Sequence, residues 1–245
     1  MWLYYITDRK QLGGTPAEQK RRLLDKIAEA ARAGVEFIQL REKDLSSRAL
    51  EHLARDAAAI VRENSSARAE APTGVTSQQS RPRPRLLINS RLDIAISTGA
   101  DGVHLPAHDL TPVEARAIWD TSASLTRHPR RHAVIGVSCP SADDVRLAQA
   151  QGADFAVFAP VFEKLTINPP TKQAGVGLDA LRTACGQVLD STPQPTQTFP
   201  VFALGGVTLE NAQQCLQAGA VGVAGIRLFQ QNDVKSMVDR LRNFQ

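Results

Sequence analysis

The stretch that decides the fold is residues 199–229, FPVFALGGVTLENAQQCLQAGAVGVAGIRLF. An apolar run at residues 200–204 is broken by Gly205 and Gly206, and a helical pattern then leads to a second apolar run at residues 221–226. This order predicts a strand, a glycine turn, a helix and a second strand. Paired glycines after a strand let backbone N–H groups approach an anion closely, and they equally make a tight turn. Both interpretations stay open at this point.

Four segments elsewhere share one form: a helix end, a glycine, a short turn and a strand start. They are AGVEF at residues 33–37, TGADG at 98–102, QGADF at 151–155 and AGAVG at 218–222. Each glycine is typical of a helix C-terminus, and the segments fall before predicted strands two, four, six and eight. Eight strands alternating with eight helices predict an α/β fold, a single (β/α)8 TIM barrel. A doubly wound sheet is the alternative, but no G-x-G-x-x-G motif follows strand one.

We expect the whole chain, residues 1–245, to form one barrel domain. Three polar segments interrupt the pattern as insertions, near residues 64–85, 120–131 and 189–198. They contain few large apolar residues, so we expect exposed loops there. Helix two is predicted to end at Arg62, and helix four near Trp119.

Composition excludes several classes of function. An aromatic content of 5% and a net charge of +4, with no dense basic run, disfavour nucleic-acid binding. No apolar run approaches the ~20 residues that span a bilayer, so no membrane partner is expected. Three widely spaced cysteines fit a reducing cytoplasm. The charge suits small phosphorylated substrates, and a homodimer is compatible with the sequence.

The carboxyl ends of the strands build the active face of such a barrel, and polar residues gather there. In QLREK at residues 39–43, the period of two puts Gln39, Arg41 and Lys43 on one side of the chain. Two cations and an amide at the barrel mouth would suit a diphosphate. The alternative is an ion-pair cluster with Glu42 and Asp44.

Other polar residues on this face have two interpretations each. His104 lies inside strand four, where a core histidine is favoured over a ligand. Asp109 follows that strand and could hold Mg²⁺ or cap a helix. Ser138 could donate to phosphate or cap helix five. Cys139 has no histidine partner in the sequence nearby, so thiolate catalysis is not expected.

The loop at residues 160–176 is the longest on this face. It contains Lys164, Thr171, Lys172 and Gly175, and it could close over a substrate as a lid. The alternative is a surface loop without function. No Ser–His–Asp triad or His/Cys metal motif is present, so the predicted chemistry is anion binding and charge stabilisation.

Six motifs taken together resemble the thiamine-phosphate synthase and thiazole tautomerase family. They are YITD at residues 5–8, QLREK at 39–43, NSRLDIA at 89–95, ADGVHL at 100–105, IGVS at 135–138 and ALGGV at 203–207. The resemblance covers the chain apart from the three polar insertions. It implies a transferase that joins an aminopyrimidine methyl diphosphate to a thiazole phosphate and releases diphosphate.

The resemblance also implies roles for individual residues. The diphosphate would be held by Arg41, Lys43, Asn89, Ser138 and Lys172. Gln39 would lie at the pyrimidine. Thr171 would reach the thiazole phosphate beside the backbone of Gly206, Gly225 and Ile226. Gly205, in the same turn as Gly206, would belong to this binding site. Asp109 matches one of two aspartates that bind Mg²⁺ in the family.

This sequence departs from the synthase pattern at several positions. Ser90 stands where the second metal aspartate is expected, and LPAH at residues 105–108 replaces a Gly-Gln pair. Lys164 stands where a threonine is usual. Ser90 and Pro106 look more like the tautomerase branch, yet Pro140 occupies the place of that branch's histidine.

Three hypotheses follow from this mixture. The first is a thiamine-phosphate synthase with an altered Mg²⁺ site. The second is a thiazole tautomerase-like isomerase, which would need another acid–base group such as His104 or His108. The third is a non-catalytic phosphate-binding paralogue with a regulatory role.

Overall fold

The computed structural model describes residues 1–69, 82–124, 132–165, 172–186 and 199–244. Eight parallel strands, β1 to β8, close into a barrel in which neighbours along the chain also pair. The strands are Trp2–Ile6, Phe37–Leu40, Arg85–Asn89, Gly102–Leu105, Val134–Cys139, Phe155–Phe158, Val201–Ala203 and Gly222–Gly225. β1 closes the barrel, because Tyr5 pairs with Ile38 on one side and Gly225 on the other. The predicted α/β barrel is confirmed.

Helices connect the strands on the outside of the barrel. Helices α1 to α9 are Pro16–Ala33, Ser47–Ala69, Leu92–Thr98, Pro112–Ser124, Ala142–Ala150, Gly177–Ala184, Leu209–Gln217, Arg227–Gln230 and Val234–Arg242. A 3₁₀ helix, Arg9–Leu12, follows β1, and a short antiparallel hairpin pairs Lys164–Leu165 with Lys172–Gln173. The described helices include no segment that is both long and apolar enough to cross a membrane.

The repeated glycine segments behave as the sequence predicts. Gly34 and Gly99 follow α1 and α3 in the left-handed conformation, and their N–H groups donate back to the last turn of each helix. Gly152 and Gly219 have the same sign of φ, 76° and 99°. A residue of this conformation ends a helix and turns the chain toward the next strand.

Two predicted helix ends are wrong. α2 continues beyond Arg62 to Ala69, and α4 continues beyond Trp119 to Ser124. No proline or glycine stands between these predicted ends and the observed ones, so no helix breaker ends either helix at the predicted position. The predicted loops near 64–85 and 120–131 are therefore shorter at their amino ends. Residues 70–81 and 125–131, and the predicted insertion at 189–198, lie outside the described residues.

Aromatic side chains fill the amino-terminal half of the barrel. Tyr4, Phe37, Phe155 and Phe202 are buried, and their ring centroids lie 5.0–5.9 Å apart, mostly edge to face. Phe37 and Phe155 are the first residues of β2 and β6, and Tyr4 pairs with Phe37 in the barrel. The larger apolar cluster lies between the outer barrel face and the helices. The apolar plug leaves the carboxyl end of the barrel for polar groups.

A buried carboxylate ties the ends of β1 and β2 together. Glu42 is 5% exposed and accepts hydrogen bonds from Thr7 Oγ1, at 2.7 Å, and Arg9 Nη1, at 2.9 Å. Arg9 also forms a two-pronged ion pair with Asp44, at 2.7 and 2.8 Å. Thr7 Oγ1 in turn accepts the Arg41 N–H at 2.9 Å. The network fixes the segment that bears Arg41 and Lys43 at the barrel mouth.

The loops after β6 and β7 are packed backbone against backbone. The Phe162 N–H donates to the Gly205 carbonyl at 2.9 Å. A Cβ on Gly205 would lie 2.7 Å from Pro160 Cα, and a Cβ on Gly206 would lie 2.5 Å from the Glu163 carbonyl oxygen. Both glycines have positive φ, 95° and 64°. The glycine pair is therefore required by backbone approach as well as by backbone conformation.

We predict that Arg9→Met lowers the free energy of unfolding by about 3–5 kcal/mol, because it leaves the Glu42 carboxylate buried without its cation. The matched control is Lys10→Met. Lys10 also pairs with Asp44 but is 62% exposed, so its loss should cost no more than about 1 kcal/mol. Chemical denaturation of the two variants measures the difference, and equal losses would contradict the role given to Glu42.

We also predict that Gly206→Ala destabilises the protein more than Gly152→Ala. Both positions have positive φ, which costs an alanine about 1–2 kcal/mol. Only Gly206 has neighbouring backbone in the way, since nothing lies within 4 Å of a Cβ on Gly152. Overpacking should add about 1–3 kcal/mol. Denaturant midpoints of the two variants measure the difference in stability. Equal midpoints would show that the loop after β6 moves aside freely.

Candidate active site

An open cavity of about 800 Å³ lies at the carboxyl end of the barrel. Most of the residues that the sequence predicts for the site line this one cavity. They are Gln39, Arg41, Asn89, Ser138, Gly205, Gly206, Gly225 and Ile226. Strands β2, β3, β5 and β8 and the loop after β7 bring them together from distant parts of the sequence.

Gln39 and Asn89 form the polar floor of the cavity. Gln39 is 1% exposed, and its Nε2 donates to Asn89 Oδ1 at 2.8 Å. Its Oε1 is buried and accepts no hydrogen bond within the described part of the chain. A buried acceptor without a donor is unfavourable by about 1–3 kcal/mol, so this atom is suited to a ligand N–H.

Arg41 is half-buried in the cavity wall, and Lys43 is exposed beside it. The Arg41 guanidinium, followed by partial burial, lowers the pKa of Lys43, which places the two cations within electrostatic range. The alternative, an ion-pair cluster with Glu42 and Asp44, does not form, because Arg9 pairs with both carboxylates. Neither Arg41 nor Lys43 forms a salt bridge with any other described residue. Two adjacent cations without an anion attract one.

His104 is a core histidine, as the sequence favours, but it also contacts the cavity. It is 3% exposed, with Nδ1 3.1 Å from Tyr4 Oη and Nε2 2.8 Å from Ser138 Oγ. Burial, followed by the charge of Arg41, lowers the pKa of His104 to about 3. The imidazole is thus neutral at physiological pH. Ser138 does not cap α5, because Ser141 is the N-cap there.

Ser90 and Asp109 meet beside the cavity, outside its wall. Ser90 Oγ donates a hydrogen bond to Asp109 Oδ2, and Asp109 Oδ1 accepts from the Leu110 N–H at 2.9 Å. Asp109 is exposed, and Ser90 has a φ of 63°. Across the described ranges, no cluster of three or more His, Cys, Asp or Glu side chains could hold a metal. The protein alone offers one carboxylate to a metal here, with a hydroxyl beside it.

The backbone at Gly206 and Ile226 is available to a ligand. Neither N–H has a backbone acceptor among the described residues, and both positions line the cavity. The Asn211 side chain donates to the Gly206 carbonyl at 3.0 Å, which holds the turn in place. Backbone N–H groups without a backbone acceptor at a cavity wall suit a phosphate.

Within the loop at residues 160–176, the structure describes residues 160–165 and 172–176, which include the short hairpin. Lys172 is exposed, and its Nζ lies 3.2 Å from Glu163 Oε1. Glu163 lines the cavity, so this ion pair places Lys172 at the rim. Thr171 lies outside the described residues, as do residues 166–170. Their predicted roles stay predictions, as does the role of this loop as a lid.

The cysteines take no part in the cavity chemistry. All three, Cys139, Cys185 and Cys215, are buried and free. Burial, followed by the charge of Asp144, raises the pKa of Cys139 to about 12, so its thiol is not a nucleophile at neutral pH. The expectation from the sequence agrees with this environment.

Sequence analysis missed two groups that shape the site. One is Arg9, which removes Glu42 and Asp44 from the reach of the cavity cations. The other is Tyr4, whose hydroxyl meets His104 inside the barrel. The alternation of β1 puts Tyr4 on the same face as Ile6, a cavity residue, and this was the available signal. The sequence does not indicate which polar group the buried Tyr4 hydroxyl contacts.

Comparison with known proteins agrees with this geometry. Residues 3–229 match the family model described as thiamine monophosphate synthase. A Geobacter sulfurreducens protein with a provisional name as a thiamine-phosphate synthase is 37% identical over 225 residues, which cover 91% of this chain and 83% of that protein. The thiamine-phosphate synthase of Syntrophomonas wolfei is 32% identical, with 98% and 94% covered.

A solved structure gives the same result for the fold. The thiamine phosphate pyrophosphorylase of Pyrococcus furiosus superposes with a TM-score of 0.70 at 24% identity, over 99% of this chain and 94% of that one. The resemblance drawn from the six sequence motifs is confirmed, and so is the prediction of an enzyme family of transferases. The chain belongs to the thiamine monophosphate synthase family.

Proposed function

We propose that the protein is a thiamine-phosphate synthase that joins an aminopyrimidine methyl diphosphate to a thiazole phosphate and releases diphosphate. One observation supports this above the others. Arg41 and Ser138 line the cavity, Lys43 lies within electrostatic range of Arg41, and burial raises the pKa of Cys139, so this thiol is not an activated nucleophile. That set suits a reaction in which a charged group leaves and the protein only stabilises charge.

The diphosphate would lie against Arg41, Lys43, Asn89 and Ser138. Arg41 offers a planar fork of donors and Lys43 a point charge, and both are free of protein carboxylates among the described residues. Lys172 would reach the same group from the rim on exchanging its exposed partner Glu163. Such an exposed ion pair is worth no more than about 1 kcal/mol, so a diphosphate can compete for it.

The pyrimidine would lie on the floor of the cavity. Its amino group is a donor, and the Oε1 atom of Gln39 is a buried acceptor that finds no partner among the residues the structure describes. The thiazole phosphate would lie at the backbone of Gly206, Gly225 and Ile226, which lines the cavity. Thr171 would add a hydroxyl to that phosphate.

We further propose that Mg²⁺ binds with the diphosphate at Asp109. Mg²⁺ in proteins is often held by one or two carboxylates together with substrate phosphates, so a single carboxylate fits. Bound there, Mg²⁺ would neutralise charge on the leaving diphosphate. Asp109 is already oriented by the Leu110 N–H and by Ser90, which occupies the position of the family's second aspartate.

A thiazole tautomerase-like isomerase is the second candidate, and Ser90 and Pro106 support it. An isomerase of this kind needs an acid–base group. The low pKa of His104 makes it a poor base at neutral pH, and His108 is exposed outside the cavity wall. A phosphate-binding regulatory paralogue would use the same anion contacts without turnover.

The three buried free cysteines fit the reducing cytoplasm that we propose as the compartment.

The direct test supplies the purified protein with the pyrimidine diphosphate, the thiazole phosphate and Mg²⁺, and follows thiamine phosphate by the fluorescence of its oxidised form. We expect product. Lys172→Ala should lower turnover about 10- to 150-fold through the loss of a charge-assisted contact. Lys20→Ala, an exposed lysine paired with Asp56, is the matched control and should leave turnover unchanged.

Other outcomes distinguish the alternatives. Thiazole phosphate binding without product would favour the regulatory paralogue. Conversion of the thiazole carboxylate phosphate would favour the isomerase. Unchanged turnover in Lys172→Ala would remove this lysine from the site.

Ser90→Asp tests the Mg²⁺ site. Aspartate tolerates the left-handed backbone at position 90, and it would place a second carboxylate against Asp109. Two adjacent carboxylates repel unless a cation lies between them, so we expect a steeper dependence of turnover on Mg²⁺ and tighter Mg²⁺ binding by calorimetry. Ser90→Asn is the control with the same shape and no charge. An aspartate variant that responds to Mg²⁺ as the asparagine variant does would rule out a metal at Asp109.

A further inference from the structure

A chain of hydrogen bonds runs from the aromatic interior of the barrel to the cavity. Tyr4 Oη lies 3.1 Å from His104 Nδ1, and His104 Nε2 lies 2.8 Å from Ser138 Oγ. Of these three residues Ser138, at the end of the chain, is the half-exposed one, and it lines the same cavity as Arg41. The direction in which each hydrogen points decides what Ser138 offers to a ligand.

The surroundings of Tyr4 decide where the first hydrogen, that of the Tyr4 hydroxyl, points. Tyr4 is completely buried, and its ring is packed against Phe37, Phe155 and Phe202. Within the described residues, His104 Nδ1 is the hydrogen-bond partner of its hydroxyl. If Nδ1 held a proton, the Tyr4 O–H would point into an apolar core with no acceptor, which costs about 1–3 kcal/mol. Burial also raises the pKa of Tyr4, so the phenol keeps its proton.

We propose that Tyr4 fixes the tautomer of His104 and thereby makes Ser138 a hydrogen-bond donor toward an oxyanion in the cavity. With Nδ1 accepting from Tyr4, the one ring proton of neutral His104 is on Nε2. The Nε2–H then donates to Ser138 Oγ. The serine hydrogen is left free for a ligand oxygen, such as a phosphoryl oxygen. Tyr4 and His104 are positioning residues, and the inference rests on the anion-binding part of the proposed function.

The tautomer with its proton on Nδ1 would make Ser138 a hydrogen-bond acceptor toward the ligand and not a donor. A bare Nε2 would accept the Ser138 hydrogen, and the serine would present only lone pairs to the cavity. Lone pairs repel a phosphoryl oxygen. The low pKa of His104 supports a neutral ring, and Arg41 is the charged neighbour that contributes to it after burial.

The first test is the ¹⁵N spectrum of histidine-labelled protein, with His104 assigned by its loss in His104→Gln. We expect a proton on Nε2 and an unprotonated, hydrogen-bonded Nδ1, unchanged between about pH 5 and pH 8. Tyr4→Phe should populate the tautomer with a proton on Nδ1. A wild-type ring with its proton on Nδ1 would overturn the inference.

The second test measures the affinity for inorganic diphosphate and inorganic phosphate by calorimetry. Tyr4→Phe should weaken anion binding about two- to tenfold, the range of one ordinary hydrogen bond. In a Ser138→Ala background the same change should have no effect, because there is no hydroxyl left to orient. An equal loss in both backgrounds would overturn the inference, since Tyr4 would then act through packing alone.

Tyr5→Phe is the matched control. Tyr5 is the next residue of β1 and is equally buried, but it points to the helix side against Phe229, and its hydroxyl has no partner among the described residues. Its replacement should leave anion affinity unchanged. A wild type that binds neither anion would overturn the proposed function together with the ligand half of this inference. Normal anion binding with the Nδ1–H tautomer would overturn this inference alone.

Discussion

The buried carboxylate of Glu42 is the constraint on which the mouth of the barrel depends. Burial raises the pKa of Glu42, and the donors Thr7 and Arg9 act against that shift. Since Thr7 also accepts the Arg41 N–H, the same group that satisfies Glu42 fixes the backbone of the cavity arginine. Arg9 takes Asp44 as well. Arg9 thus pairs with both nearby carboxylates, and the cations Arg41 and Lys43 stay available to a ligand.

The barrel divides its two ends by chemistry. Aromatic rings fill the amino-terminal half, and amides, hydroxyls and cations line the carboxyl end. Tyr4 joins the two regions, because its ring belongs to the plug and its hydroxyl belongs to the polar chain that ends at Ser138. A polar atom in an apolar region has few possible partners, and for that reason it is fixed which atom donates and which accepts in its hydrogen bond.

Ser90 and Asp109 lie side by side at one edge of the cavity, because the Ser90 hydroxyl donates a hydrogen bond to Asp109 Oδ2. Gln39, Arg41, Asn89 and Ser138 line the cavity itself, so its amide, guanidinium and hydroxyl donors lie apart from the Asp109 carboxylate. Because we propose Mg²⁺ at Asp109 for the synthase alone, the Mg²⁺ requirement separates the candidate functions.

The sequence by itself determined the barrel, the glycine turns before β2, β4, β6 and β8, and part of the set of residues that line the cavity. These depend on local periodicity and on which side of a strand a side chain points, and both are visible in a single stretch of chain. It misjudged the ends of α2 and α4, where polar residues continue a helix. Only the tertiary structure decided the partners of Glu42, the pairing of Ser90 with Asp109 and the Tyr4–His104–Ser138 chain. Each joins residues at least nineteen positions apart, and no local pattern specifies which distant side chain completes a hydrogen bond.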